Sequence, residues 1–250
     1  VPDGCAGFGS VSTATPARAH LYVGFTAAGH QARITEHLLC YSGRMPRPRI
    51  HDLDAVLDAA EHLAARSGPA AVTIRAVAAA TGVSNGAIYH SFGSRAELLA
   101  RAWLRAAHRF LELQTIHIDA ALPAAPQPGS PACVDAVVAA ARTPAVFARA
   151  HPDSSALLLT ISREQLLGHD LPETLATELT GTDRALVGLM IRLAQVMWDR
   201  RDGPAVAVIT TCLVDLPTAI LLRRNQIRAP HAQRQLEAAV RAVLDVGPPD

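Results

Sequence analysis

The sequence predicts an all-α protein in two parts, a small N-terminal three-helix unit with a helix-turn-helix and a larger C-terminal helical bundle. Three observations predict it. Half of the residues are apolar but only 4% are aromatic, and Ala, Leu, Val and Arg outweigh the Ile, Val, Thr and Tyr runs that make strands. Apolar residues recur with the helical period along much of the chain after residue 52. At Gly82-Val83-Ser84 two short helical patterns meet in a tight turn, and a capped third helix follows at once.

A chain of 250 residues suits two domains better than one. The formal net charge of +1 sets up no strong global field, so any nucleic-acid binding must come from local placement of charge. All 23 basic residues are arginine. Codon bias in a GC-rich genome explains that without function, although the arginine fork suits phosphate and guanine. The four cysteines, Cys5, Cys40, Cys133 and Cys212, lie far apart with no CxxC pair. That spacing suggests neither a metal site nor a disulfide framework, and it fits a reducing cytoplasm. No basic start, apolar stretch and small-residue cleavage site combine into a secretory signal. The longest apolar run, Ala205–Leu222, contains Asp215 and Pro217, so it is expected to be a buried helix rather than a membrane span.

Residues 1–44 mix Gly, Ser, Thr and Ala without a sustained period, and Met45 is the first methionine. The expectation is a disordered or mis-assigned extension with Met45 as the natural start; the alternative is a real basic arm. Detection of a native peptide from before residue 45 by mass spectrometry would exclude the first. In Met45-Pro46-Arg47-Pro48-Arg49-Ile50-His51 the prolines keep the chain extended, as a DNA-contacting arm or a solvated tail. Asp52 is placed to cap a helix over 53–66, with Leu53, Val56, Leu57, Ala60, Leu63 and Ala64 in one apolar stripe. Gly68-Pro69 ends it.

Thr73 caps the next helix, whose inward face is Ile74, Val77 and Ala78. Gly82 supplies the left-handed residue that closes it, Val83 tucks inward, and Ser84 caps Asn85–Ser91. Ile88 and Phe92 give that helix its buried face. Ser94-Arg95-Ala96-Glu97 is the pattern of a capping box, opening a longer helix through Leu98, Leu99, Ala102 and Trp103 towards Leu113.

The order Thr73-x-Arg75-x-Val77-Ala78, Gly82-Val83-Ser84, Ile88-Tyr89-His90-x-Phe92 and Arg95-x-x-Leu98 resembles the tetracycline-repressor-like (TetR) family of bacterial transcriptional regulators over roughly residues 52–105. Ser91 stands where an aromatic is frequent, and Arg95 where the family usually has lysine. The resemblance implies a DNA-binding domain at 45–105 and an effector-binding and dimerisation domain at 106–250.

Within the motif, Thr73 opens a helix whose free N–H groups suit phosphate, beside its plainer role as a cap. Ser84, Asn85, Gly86 and Ala87 occupy the start of the recognition helix, the part that meets base edges. The Asn85 amide can hold adenine N6 and N7 together, worth about 1–3 kcal/mol of discrimination. Small Gly86 and Ala87 allow close approach. Tyr89 and His90 follow an inward Ile88, so both point to solvent or DNA, and the resemblance favours phosphate contact. Arg95 and Arg75 are further phosphate candidates, with a salt bridge to Glu61 as the alternative for Arg75. Arg101 and Arg105 are expected on a solvated helix face.

Pro123–Pro131 is a loop by composition. Helices are expected at about 133–149, 152–168, 183–201, 205–224 and 231–245, with Leu186, Leu189, Met190, Leu193 and Met197 on one face of the third. The resemblance adds a dimer interface in the last long helices and a cavity for a small apolar effector. Met190, Met197 and Trp198 are expected to be core or interface, and Phe110, His117, Phe147, His151 and Arg163 are candidate sources of cavity polarity. The eleven histidines form no HExxH or Cys-His pattern of ligand spacing, and no GxSxG or P-loop is present, so no metal, cofactor or catalytic residue is expected. The reading is a cytoplasmic, homodimeric, ligand-responsive repressor of a palindromic operator in double-stranded DNA. Its competitor is a helical-bundle enzyme or interaction module that does not bind DNA.

Overall fold

The computed structural model describes residues 53–249, and all regular elements among them are helical. Asp52, Met45 and the residues before it, with the readings placed on them, lie outside the described residues.

Helix α1 (Leu53–Ser67) buries Val56, Ala60 and Ala64 along the expected stripe, together with one residue that the stripe did not predict, Glu61. Gly68, at φ 79°, ends it, and a short 3-10 turn at Pro69–Ala71 intervenes before α2 (Ile74–Thr81). Helix α3 (Asn85–Phe92) follows the turn at Gly82, and α4 (Arg95–Ala121) runs eight residues past the expected end at Leu113. Residue 105 therefore falls in the middle of an unbroken helix.

Two apolar cores line α4. The first joins Val56, Ala60, Val77, Ile88, Phe92 and Leu98 to Leu157, Ile161, Leu166, Leu175 and Leu179. The second collects Ile118, Val137, Met190, Leu193, Ile209, Leu221, Leu236 and Val240. The helix-turn-helix unit is thus packed onto later helices, which matters because so small a unit buries little apolar surface by itself.

Helix α5 (Pro131–Ala150) carries Pro144 in its interior. The single helix expected at 152–168 is two: α6 (Pro152–Thr160) and α7 (Arg163–Leu167). Ile161 is extended, its carbonyl accepts from Trp103 Nε1 (3.0 Å), and Ser162 starts α7 with a complete capping box to Gln165. Two backbone donors satisfied at once make that restart favourable. Helix α8 (Glu173–Trp198) begins ten residues before the expected 183, because Leu175 and Leu179 anchor its first turns in the N-terminal core.

Helix α9 (Gly203–Leu222) starts as a regular helix and widens into π turns at Thr211–Asp215 and Thr218–Leu222. Pro217 has no N–H and its ring crowds the carbonyl one turn back, so the ladder re-forms with longer steps such as Arg223 N–H to Thr218 O. This helix was expected to be buried; only 33% of it is. By length and composition both α5 and α9 are apolar enough to cross a membrane, and α5 is 56% buried inside the fold. Helix α10 (Pro230–Val246) closes the second core through Ala232, Leu236, Val240 and Leu244.

Candidate nucleic-acid interface and bundle cavity

The interface is built by two side-chain caps and one left-handed residue. Thr73 is extended, and its Oγ1 accepts from Ala76 N–H (3.1 Å). The hydroxyl hydrogen stays available for a phosphate oxygen, so capping and anion contact are compatible. Gly82 takes φ 71° and donates its N–H to Ala78 O, which ends α2. Thr81 reinforces the corner, donating to Val77 O and accepting from Val83 N–H. Ser84 Oγ then accepts from Ala87 N–H (3.2 Å), which starts α3 directly after the turn.

Ile88 and Phe92 anchor α3 in the first core. This fixes which face is left over. Asn85, Gly86, Tyr89 and His90 are exposed, Tyr89 at 53%, and Ala87 is half-buried. Thr73 and Ser84, at the two helix starts, are exposed as well. A methyl group at Gly86 would meet no atom of the chain within 4 Å, and its φ is not positive. Neither packing nor backbone geometry of the chain itself calls for glycine there.

Three expectations change. Arg95 donates Nε to Val72 O (2.5 Å) and Nη2 to Pro69 O (2.6 Å). Its fork braces the turn that leads into Thr73 instead of standing free for phosphate. The Ser94–Glu97 capping box forms by half: Ser94 Oγ accepts from Glu97 N–H (3.1 Å), but the Ser94 N–H goes to Phe92 O, and the Glu97 carboxylate lies beside Gly93. Arg75 is exposed and has no ion-pair partner among the described residues, because Glu61 belongs to Arg105.

That Arg105 pairing was missed by the sequence reading, which placed the side chain on a solvated face. Its Nε and Nη2 hold Glu61 Oε1 (3.0 and 2.6 Å), while Nη2 and Nη1 reach Asp58 and Asp54. Burial opposes the charge on Arg105, but the hydrogen bond and charge of Glu61, with Asp54 and Asp58, more than offset it and raise its pKa. The other Glu61 oxygen accepts from Ser154 Oγ (2.5 Å) on α6, and His62 meets Asp153 beside it (2.9 Å). An acidic residue at a position next to an apolar stripe was the available signal.

The bundle contains an apolar cavity of about 200 Å³ lined by Phe110, Pro144, Phe147, Ser155, Leu158, Leu159, Leu222 and Ile227. Phe110 and Phe147 meet edge to face, ring centroids 5.5 Å apart. Two of the residues expected to lend polarity are therefore apolar wall. His151 packs on the Phe147 ring, His117 bonds Thr143, and Arg163 pairs with Asp183 and Glu164; none of the three lines the cavity. Met190 and Met197 are buried core, with Trp198 packed against it. No group of three or more His, Cys, Asp or Glu suited to a metal ion occurs among the described residues. Cys212 is a core thiol, its pKa pushed up to about 12 by burial.

Comparison with known proteins bears on both regions. Residues 56–102 match the family model of bacterial regulatory proteins, tetR family. No curated protein matches the chain. Among solved structures, a protein of Pseudomonas aeruginosa PAO1 described as a transcriptional regulator is similar, with TM-score 0.59 and 19% identity over 78% of this chain and 88% of its own. A TetR-like transcriptional regulator from Rhodococcus sp. RHA1 gives TM-score 0.57 and 20% identity, covering 81% of this chain and 99% of its own. The TetR family regulator PfmR from Thermus thermophilus gives 0.53 and 18%, covering 76% and 97%. At these identities the likeness is one of fold, and it extends through the C-terminal bundle.

Proposed function

We propose that the N-terminal helices, which match the model of bacterial regulatory proteins, tetR family, over residues 56–102, form the DNA-binding domain of a ligand-responsive, homodimeric repressor of a palindromic operator, working in the cytoplasm. The observation that carries the reading is the surface of α3. Its Ile88–Phe92 edge is locked in the core while Asn85, Gly86, Tyr89 and His90 stand clear. Asn85 and Ala87 read base edges, Gly86 lets the backbone close on the groove, and Thr73, Ser84, Tyr89 and His90 hold phosphates. Arg75 adds charge at the rim, and Arg95 acts by positioning Thr73.

One short recognition helix makes too few base contacts for tight specific binding, and a second copy doubles them. The apolar α9, only 33% buried and with Val214 37% exposed, supports a dimer face there together with α8, where Val187 is 46% exposed. The two recognition helices must then lie about 34–36 Å apart to enter successive major grooves. Residue organisation supports effector control. Ser155 lines the cavity, and its neighbour Ser154 holds Glu61 of α1, so α6 touches both regions. A ligand acts if it favours one of two dimer spacings by a few kcal/mol.

Selection of bound DNA from a random pool with the full chain tests the proposal. The expected product is a palindrome whose half-sites lie about 10–10.5 base pairs apart or a multiple of that, bound with an affinity that falls steeply with salt. Asn85→Ala should relax preference at one base position, and Tyr89→Ala should weaken all sequences alike. Absence of any salt-dependent binding would favour the competing reading, a bundle that does not bind DNA.

A further inference from the structure

The cavity does not end at its apolar walls. It shares Ser155, Leu159 and Ile227 with a second chamber of about 410 Å³, whose far side is formed by Asn225 and Arg228 in the segment between α9 and α10. The two form one cleft with an apolar inner end and a cationic mouth. None of the residues lining either chamber is acidic.

Arg228 is the arginine among the residues that line the two chambers. Arg105, Arg109, Arg142, Arg163, Arg192, Arg200 and Arg241 each face a carboxylate. Arg228 is exposed and has no such partner among the described residues. Nor is one close in sequence: Arg223, Arg224 and Arg228 lie in a stretch without a single acid from Leu216 to Leu236. A guanidinium held at the rim of an apolar hole, with no internal counter-charge, complements an anion whose other end is apolar.

Resting on the reading of the bundle as the effector domain, we infer that this cleft takes a monocarboxylate with a compact apolar body, inserted apolar end first. The physical division of labour is simple. A carboxylate in the inner chamber would lose its hydration to carbon walls and a lone serine, at high cost. At the mouth it keeps water on one side and gains the two-pronged fork of Arg228 on the other. The inner chamber sets the size: an apolar cavity of about 150 Å³ accommodates benzene, so one of about 200 Å³ takes an aryl ring or a short alkyl chain.

Calorimetric titration of the full chain, without DNA, tests this with octanoate, 1-octanol and octylammonium. Octanoate should bind about tenfold more tightly than 1-octanol, the scale of one charge-assisted hydrogen-bonded pair, and octylammonium should bind weakest. Arg228→Gln should bring octanoate down to the level of 1-octanol and leave 1-octanol unchanged. Leu159→Trp, at a position 55% exposed and therefore tolerant of bulk, should weaken both. Unchanged melting temperatures establish that the variants fold. Equal binding of acid and alcohol, an unaffected Arg228→Gln, or no binding of octanoate overturns the inference. Operator binding measured in parallel separates the two readings: a chain that binds DNA but not octanoate loses only this inference, and one that binds no DNA loses the regulator.

Discussion

The guanidinium of Arg105, at mid-length of α4, clasps the buried carboxylate of Glu61 on α1 through Nε at 3.0 Å and Nη2 at 2.6 Å. Glu61 is 4% exposed and Arg105 14%. Ser154 of α6 takes the remaining Glu61 oxygen, so one carboxylate ties together three helices, one of them beside the cavity.

Removing either partner leaves a buried charge uncompensated. Arg105→Ala should cost roughly 3–5 kcal/mol, because Glu61 keeps only the more distant Arg109 and the Ser154 hydroxyl. Urea unfolding measures it. Ser154→Ala should cost about 1 kcal/mol by the same assay, and if α6 relays the state of the cavity it should also change how far a ligand shifts operator affinity.

Two glycines in one motif should behave oppositely. Gly82→Ala forces a side chain to φ 71° and should destabilise the fold by about 1 kcal/mol. Gly86→Ala meets no atom of the chain and replaces a poor helix former, so stability should stay level or rise by up to about 1 kcal/mol. Operator affinity should nevertheless fall. Thermal unfolding beside DNA titration checks both, and an unaltered affinity for Gly86→Ala would remove the close-approach role.

Arg95→Ala separates bracing from phosphate contact. If the side chain works by holding Val72 and Pro69, the variant should lose stability and some affinity while the slope of log affinity against log salt stays put. Loss of a direct phosphate contact would instead reduce that slope by about 1. Arg95→Lys should rescue little, since one ammonium cannot reproduce a two-pronged fork.

Val187→Arg and Val214→Asp place charge on the uncovered faces of α8 and α9. Each should shift sedimentation from dimer to monomer and weaken operator binding, while far-ultraviolet circular dichroism stays unchanged. A variant chain that remains dimeric with full affinity would place the interface elsewhere.

Much of the N-terminal domain was legible because its signals are local. Thr73, Gly82 and Ser84 act within four residues of themselves, through a hydroxyl on a nearby N–H or a φ that L side chains avoid. One local signal went unread: Ser162-Arg163-Glu164-Gln165 spells the capping box that splits the expected helix at 152–168. Pro217, inside the run expected to be one helix, widens α9 into π turns without breaking it.

The sequence by itself determined the helical class, the recognition helix and its exposed face, because periodicity and caps are settled by neighbours one turn away. Only the tertiary structure decided the partners of the long side chains. A guanidinium at position 75, 95 or 105 has a similar local setting in each case, and its role depends on which carbonyl or carboxylate the packing of α1 and α4 brings within 3 Å. The same holds for the first turns of α8, whose sequence is weakly apolar and whose helix is held by Leu175 and Leu179 reaching a core made by residues a hundred positions earlier. It holds as well for the cleft at Arg228, since an arginine becomes a ligand group only when the fold sets it at the rim of a hole and gives it no acid of its own.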